Sequence, residues 1–227
     1  MKPFAVALAG SGRADGSEIH ESVSVLVHLS RHGATYACFA PDQPQADVID
    51  HASGKAMHES RNCLVEAARI SRGDIRDLAS LRASEYSGVI FPGGFGAAKN
   101  LCTFATDGAK CKVQQDAARV LREFHEAGKP IGLICIAPVM AAAVFGKVAR
   151  GAERGGCSIT LGTDSGNDAA NAARAMGATH VGKAVTDALL DEPNRLVTTP
   201  AYMCDATPFE VFTGIGKLVD EVLRLAK

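Results

Sequence analysis

The chain has 227 residues, with 24 lysines and arginines against 25 aspartates and glutamates, for a net charge of −1. That balance excludes a general nucleic-acid binder, which needs a basic surplus on one face, and a 47% hydrophobic content over this length supports a full α/β core expected to form one domain, 1–227. The seven cysteines are scattered, without a C-x-x-C pair, which excludes a disulfide framework and a paired zinc site and leads to the expectation of a reducing, cytoplasmic location.

Residues 4–10 form a short apolar run ending in glycine. The run resembles a signal-peptide core but is too short and leads into Gly, Arg and Asp, so it reads as the first strand. Ser17 opens a helix over 17–30, with Ile19, Val23, Leu26, Val27 and Ser30 on one side. Gly33 stops it, and 35–40 is a second strand closed by Pro41. Residues 42–58 read as an irregular or hairpin excursion, 59–71 as a helix and 75–84 as a linker. A buried strand at 88–91 stops at Pro92-Gly-Gly-Phe-Gly96. Then come a helix over 112–127 ended by Gly128, a strand at 130–136, a helix at 137–145, a strand at 157–162 and a helix at 167–176. A hairpin turns at Glu192-Pro-Asn194 between strands at 184–191 and 195–199, and a final helix covers 209–226. No apolar run reaches the ~18 residues that span a membrane. The alternation predicts a mostly parallel, doubly wound sheet with helices on both faces, whose functional residues sit just past the carboxyl ends of the strands.

Cys135 stands at such an end. Taken alone it reads as a small buried core residue more readily than as a chemical one. The sequence after it starts a helix with Pro138 in its first turn, so the thiol faces unpaired amides and the positive end of a helix dipole, which predicts a lowered thiol pKa. The glycines at 93 and 94 let backbone amides approach a ligand and form an anion hole. Glu18, just before the first helix, is either an ordinary first-turn carboxylate or an acid/base group sharing a proton with Cys135. His20 and Glu21 read as supporting residues or solvated ones, and Lys99 and Asn100 as loop-ordering, substrate-binding or simply solvated.

Competing motifs are weaker. Gly10-Ser-Gly12-Arg-Ala-Asp-Gly16 has the wrong last spacing for a dinucleotide fingerprint. His51 with His58, and Cys102 with Cys111, lack metal-ligand spacing, so no metal is expected.

Ser17-Glu-Ile-His-Glu21, Phe91-Pro-Gly-Gly-Phe-Gly-Ala-Ala-Lys-Asn100, Gly132-Leu-Ile-Cys-Ile-Ala-Pro138 and Thr198-Thr-Pro-Ala-Tyr-Met203 together resemble the ElbB family, the enhancing lycopene biosynthesis proteins. That family lies in the PfpI and class I glutamine amidotransferase-like superfamily. Ala40-Pro-Asp42, Val48-Ile-Asp-His51 and Glu66-Ala-Ala-Arg-Ile70 extend the likeness along the chain. The resemblance implies a flavodoxin-like fold, a homodimer and a glutathione-independent glyoxalase (a lyase) that acts on a small aldehyde without a cofactor. It also implies Cys135 as nucleophile, Glu18 as its acid/base partner, and amides of Gly93 or Gly94 and Ile136 as the anion hole. Many superfamily members carry a histidine directly after the nucleophile or elsewhere at the strand end; here Ile136 follows and no histidine lies between 126 and 179, so a protease triad is not expected. Two other readings stand beside the enzyme: a redox-sensing or interaction protein with an oxidisable Cys135, and a thiol hydrolase or amidotransferase remnant.

Overall fold

The computed structural model describes residues 2–146, 156–164 and 167–227. From the amino end, β1 (Phe4–Ala7) leads to α1 (Ile19–Arg31), β2 (Tyr36–Ala40), a small hairpin of β3 (Ile49–Asp50) and β4 (Lys55–Ala56), α2 (Cys63–Ala67) and β5 (Ile75–Asp77). Next come β6 (Val89–Phe91), α3 (Phe95–Lys99), α4 (Phe104–Asp107), α5 (Gln115–Glu126), β7 (Ile131–Ile134) and α6 (Pro138–Phe145). The chain continues through β8 (Ser158–Ile159), α7 (Asp168–Ala175), β9 (Thr179–His180), β10 (Leu189–Asp191), β11 (Leu196–Thr199) and α8 (Pro208–Leu225).

Seven strands form the central sheet in the order β10-β11-β7-β6-β1-β2-β5, parallel except for β10, which runs antiparallel to β11. β8 and β9 pair separately. Strand alternation builds two cores: Phe4, Val6 and Leu8 face α1 and α8, while Ala5, Ala7 and Ala9 face the α5 and α6 side. Each fully buried large side chain such as Phe4 or Leu8 contributes about 1.5–3 kcal/mol. Together these features make a doubly wound, flavodoxin-like α/β fold.

Several boundaries differ from the sequence reading. The 59–71 helix contracts to Cys63–Ala67. The 75–84 linker contains β5, a three-residue edge strand that carries Arg76 and Asp77 and has too short an apolar pattern to read as a strand. The glycine turn after β6 runs straight into α3. The hydrophobic side assigned to α1 is inverted: Ile19, Val23 and Val27 are 43–46% exposed, and the buried face is Glu21, Ser22, Ser24, Val25, His28 and Leu29. The cause is the polar and close packing of α8 on this side, where His28 Nε2 lies 3.0 Å from the Phe212 carbonyl and a Cβ on Gly216 would meet the His28 ring at 2.7 Å.

Candidate active site

Three strand ends converge at the carboxyl edge of the sheet, after β1, β6 and β7, and the loops there are laced by backbone bonds. Glu18 N donates to Gly93 O (3.0 Å), Phe95 N to Arg13 O (2.7 Å) and Gly96 N to Gly16 O (2.8 Å). The approach is so close that a Cβ on Gly94, whose φ is +88°, would stand 2.4 Å from Glu18 N.

Cys135 leaves β7 with φ +60°, in the left-handed region. For a non-glycine residue such a conformation stores about 1–3 kcal/mol and persists only where the surroundings fix it. Here Cys135 N donates to Thr199 O (2.9 Å) and Ala137 N to Ile134 O (3.0 Å), closing a tight turn into α6. A strand-to-helix elbow of this shape is the geometry that can present a nucleophile at the top of a sheet. The residue is only 7% exposed, but it opens into a cleft of about 730 Å³ lined also by Arg13, Glu18, His20, Phe95, Ile136 and Tyr202.

The carboxyl against the thiol belongs to Glu21. Its side chain is fully buried, and Oε2 accepts from Gly93 N at 2.8 Å. Burial first, then the neighbouring Glu18 charge, pushes its pKa from 4.5 to about 8, against the opposing effects of the Cys135 thiol and the Gly93 and Tyr202 amides. The thiol and the Tyr202 amide act on the carboxyl without reaching bonding geometry to Oε1, which is left buried without a partner. Both the burial and the raised pKa favour a proton on this carboxyl.

The thiol does not follow the lowered value that its helix address predicts. Burial, and then the charge of Glu21 when ionised, push the Cys135 thiol well above its usual range, while the Gly94 and Ile136 amides pull it down. The helix-end amides are present, as expected, but desolvation outweighs them. The two acids therefore titrate as a pair, and one proton shared between them leaves either thiolate with carboxylic acid or thiol with carboxylate.

Glu18 lines the cleft but caps α1, its Oε2 accepting from Glu21 N at 2.7 Å. Of the expected anion-hole amides, those of Gly94 and Ile136 face the sulfur, whereas the Gly93 amide is committed to Glu21. His20 sits at the cleft, its Nδ1 2.7 Å from the Tyr202 hydroxyl. Lys99 and Asn100 hold loops together. Lys99 Nζ bonds Asp47 and the Ala14 carbonyl, and buried Asn100 bonds the Ala9 and Asp15 carbonyls and the Ala46 amide. Sequence reasoning held Glu21, like His20, as a supporting or solvated residue of the first helical turn and did not single out Tyr202.

A thiol on a strained elbow, with a buried carboxyl against it at the switch point of a doubly wound sheet, defines a cysteine-elbow protein of the class I glutamine amidotransferase-like type. The chain is 52% identical over 229 residues to the human mitochondrial "glutamine amidotransferase-like class 1 domain-containing protein 3", a match covering 97% of this chain and 82% of that protein. It is 40% identical over 231 residues to the mitochondrial ES1 protein of Danio rerio, covering 98% and 85%. The crystal structure of an isoprenoid biosynthesis protein with an amidotransferase-like domain from Ehrlichia chaffeensis superposes over the whole of both chains with a TM-score of 0.90 at 34% identity. Drosophila melanogaster DJ-1beta, at 17% identity, TM-score 0.52 and coverage of 100% and 96%, shares the fold. No protein-family model matches. The chain belongs to the family of the class 1 domain-containing protein 3 and ES1 proteins. These relatives are mitochondrial, as is the rat ES1 homologue, which overturns the expectation of a cytoplasmic location. A scattered cysteine set fits any reducing compartment, and the cytosol is only one of them.

Proposed function

We propose that the protein is a cofactor-independent, cysteine-based enzyme of the ElbB glyoxalase type, converting a small 2-oxoaldehyde to a 2-hydroxy acid. The observation that carries this reading is the elbow thiol of Cys135 opening into a cleft against the buried carboxyl of Glu21, which titrates near 8. With glyoxal, the Cys135 sulfur adds to one aldehyde carbon, and the proton shared with Glu21 passes to the carbonyl oxygen, giving a hemithioacetal. The carboxylate of Glu21 then removes the hydrogen on that carbon and returns it to the adjacent one. The hydroxyl proton passes to the other oxygen, leaving a thioester of glycolate. Water cleaves the thioester, restoring the thiol and releasing glycolate. Amides of Gly94 and Ile136 stabilise the developing oxyanion. Glu18 acts as a positioning residue that caps α1 and raises the pKa of Glu21.

The test is glycolate formation from glyoxal by the purified chain without glutathione. Cys135→Ala should abolish it, and Glu21→Gln should lower kcat by about 10²–10⁴. The wild-type rate should rise with pH through about 8 as the pair loses its first proton. An undiminished rate in Cys135→Ala overturns the proposal.

A second reading, oxidation sensing, is favoured by the same amides and the protonated carboxyl, which fit around the oxygens of a cysteine sulfinate. Peroxide should then add two oxygens selectively at Cys135 on peptide mass analysis, and indiscriminate oxidation of the other cysteines counts against it.

A further inference from the structure

We infer that the cleft's own substrate carries an anionic head, a carboxylate or phosphate, joined through an apolar body to the carbonyl that meets Cys135, and that Arg13 receives that head. This substrate class rests on the carbonyl chemistry proposed above.

A cleft of about 730 Å³ lies in the ~300–1,000 Å³ range that encloses drug-sized ligands, and a two-carbon dialdehyde would leave most of it unfilled. Its lining includes Phe95, Ala98, Phe104, Ala105, Ile136 and Met203, groups that match hydrocarbon or an aromatic ring. Phe95 is 55% exposed, a large apolar surface left open to a ligand.

Arg13 is exposed, lines this cleft, and its guanidinium makes no hydrogen bond or ion pair among the described residues. Other arginines, such as Arg61, Arg69, Arg119 and Arg174, hold carboxylates of the chain itself. Nor is Arg13 on a loose tip. Its carbonyl accepts from Phe95 N (2.7 Å), and the turn around it is closed by Gly12 N to Ser17 O (2.8 Å) and Gly16 N to Gly12 O (2.7 Å). A guanidinium offered from a fixed turn is a planar fork for two oxyanion oxygens. The nearest acidic lining group, Glu18, is occupied in capping α1, so the cation is left for a ligand.

The experiment is protection of Cys135 from alkylation by iodoacetamide in the full chain, read by peptide mass analysis. The probes are 3-phenylpropanoate, phenyl phosphate and uncharged 3-phenylpropanamide, none of which is an aldehyde. At least one anion should protect at a concentration about tenfold or more below that of the amide, and the better anion identifies the head. Arg13→Ala should remove the preference, Arg13→Lys should retain part of it, and raising the salt concentration should shrink it. Equal protection by the amide and both anions, or a preference unchanged in Arg13→Ala, overturns the inference. Glyoxal conversion measured on separate aliquots separates the two ideas. No turnover with the preference intact refutes the aldehyde reading alone, and turnover without the preference refutes the anionic head alone.

Discussion

Replacing Glu21 with Gln should change how stability depends on pH. In the unfolded chain this carboxyl ionises near its ordinary 4.5, whereas in the native state it holds its proton up to about 8. Between those values the native state binds one more proton than the unfolded state, so stability falls as pH rises, by about 1.4 kcal/mol per pH unit. The effect is absent below the unfolded value and complete above the folded one. From about pH 5 to pH 7.5 the wild type should lose roughly 3 kcal/mol from this group. Gln keeps an oxygen to accept the Gly93 amide that Glu21 now binds at 2.8 Å, and it does not titrate. His28, whose pKa burial lowers, contributes with the opposite sign but equally in both proteins, so the difference between them isolates Glu21. Urea unfolding at several pH values across that interval gives the two stability profiles. The variant should gain on the wild type steadily toward alkaline pH. Parallel profiles would refute the assignment of a protonated, buried Glu21.

Two further outcomes follow from the same geometry. In Gly93→Ala the new Cβ would stand 2.5 Å from Cys135 Cβ, 2.7 Å from Glu21 Oε2 and 2.8 Å from Ile134 O. Thermal unfolding should show a loss of about 1–3 kcal/mol, with the aldehyde reaction lost as well; a fully stable, active variant contradicts the packing. Among the thiols, half-buried Cys111 is lowered by its contact with Cys102, whereas burial pushes Cys38, Cys63 and Cys157 up to about 12. A limiting amount of maleimide should therefore label Cys111 before those three, and simultaneous labelling rules this ordering out.

The elbow, the glycine turn and the sheet were legible because each leaves a local mark: an apolar run, then glycine or a helix-starting proline, at Phe91-Pro92 and at Cys135 to Pro138. The partner carboxyl was not. Glu18 and Glu21 are three residues apart, and choosing between them depends on which face of α1 is buried. The sequence offers Ile19, Val23 and Val27 as the apolar stripe, while the tertiary contact is made through Val25, His28 and Leu29 against α8. Periodicity reports that a helix has two faces, but when α8 presents Gly216 and the Phe212 carbonyl, a histidine fits where an aliphatic residue was expected. The thiol's acidity was misjudged for a related reason, since a helix end can be read from spacing but desolvation depends on everything that packs over the residue. β5 escaped notice because an edge strand is bonded on one side only and needs little apolar character.

The two margins of the sheet bear on how the protein behaves when crowded. A free strand edge is a template onto which another molecule's strand can add, the first step toward fibrous aggregates. At one margin β5 offers only three residues, two of them charged. At the other, the direction of pairing reverses at β10, and β8 sits against the hairpin, with Ser158 N donating to Asp191 Oδ2 at 2.6 Å and Thr160 N to Thr198 Oγ1 at 3.0 Å. Neither margin gives an incoming strand a long, flat, uncharged partner, so the parallel strands that carry the reactive elbow remain in the interior of a sheet that resists growth.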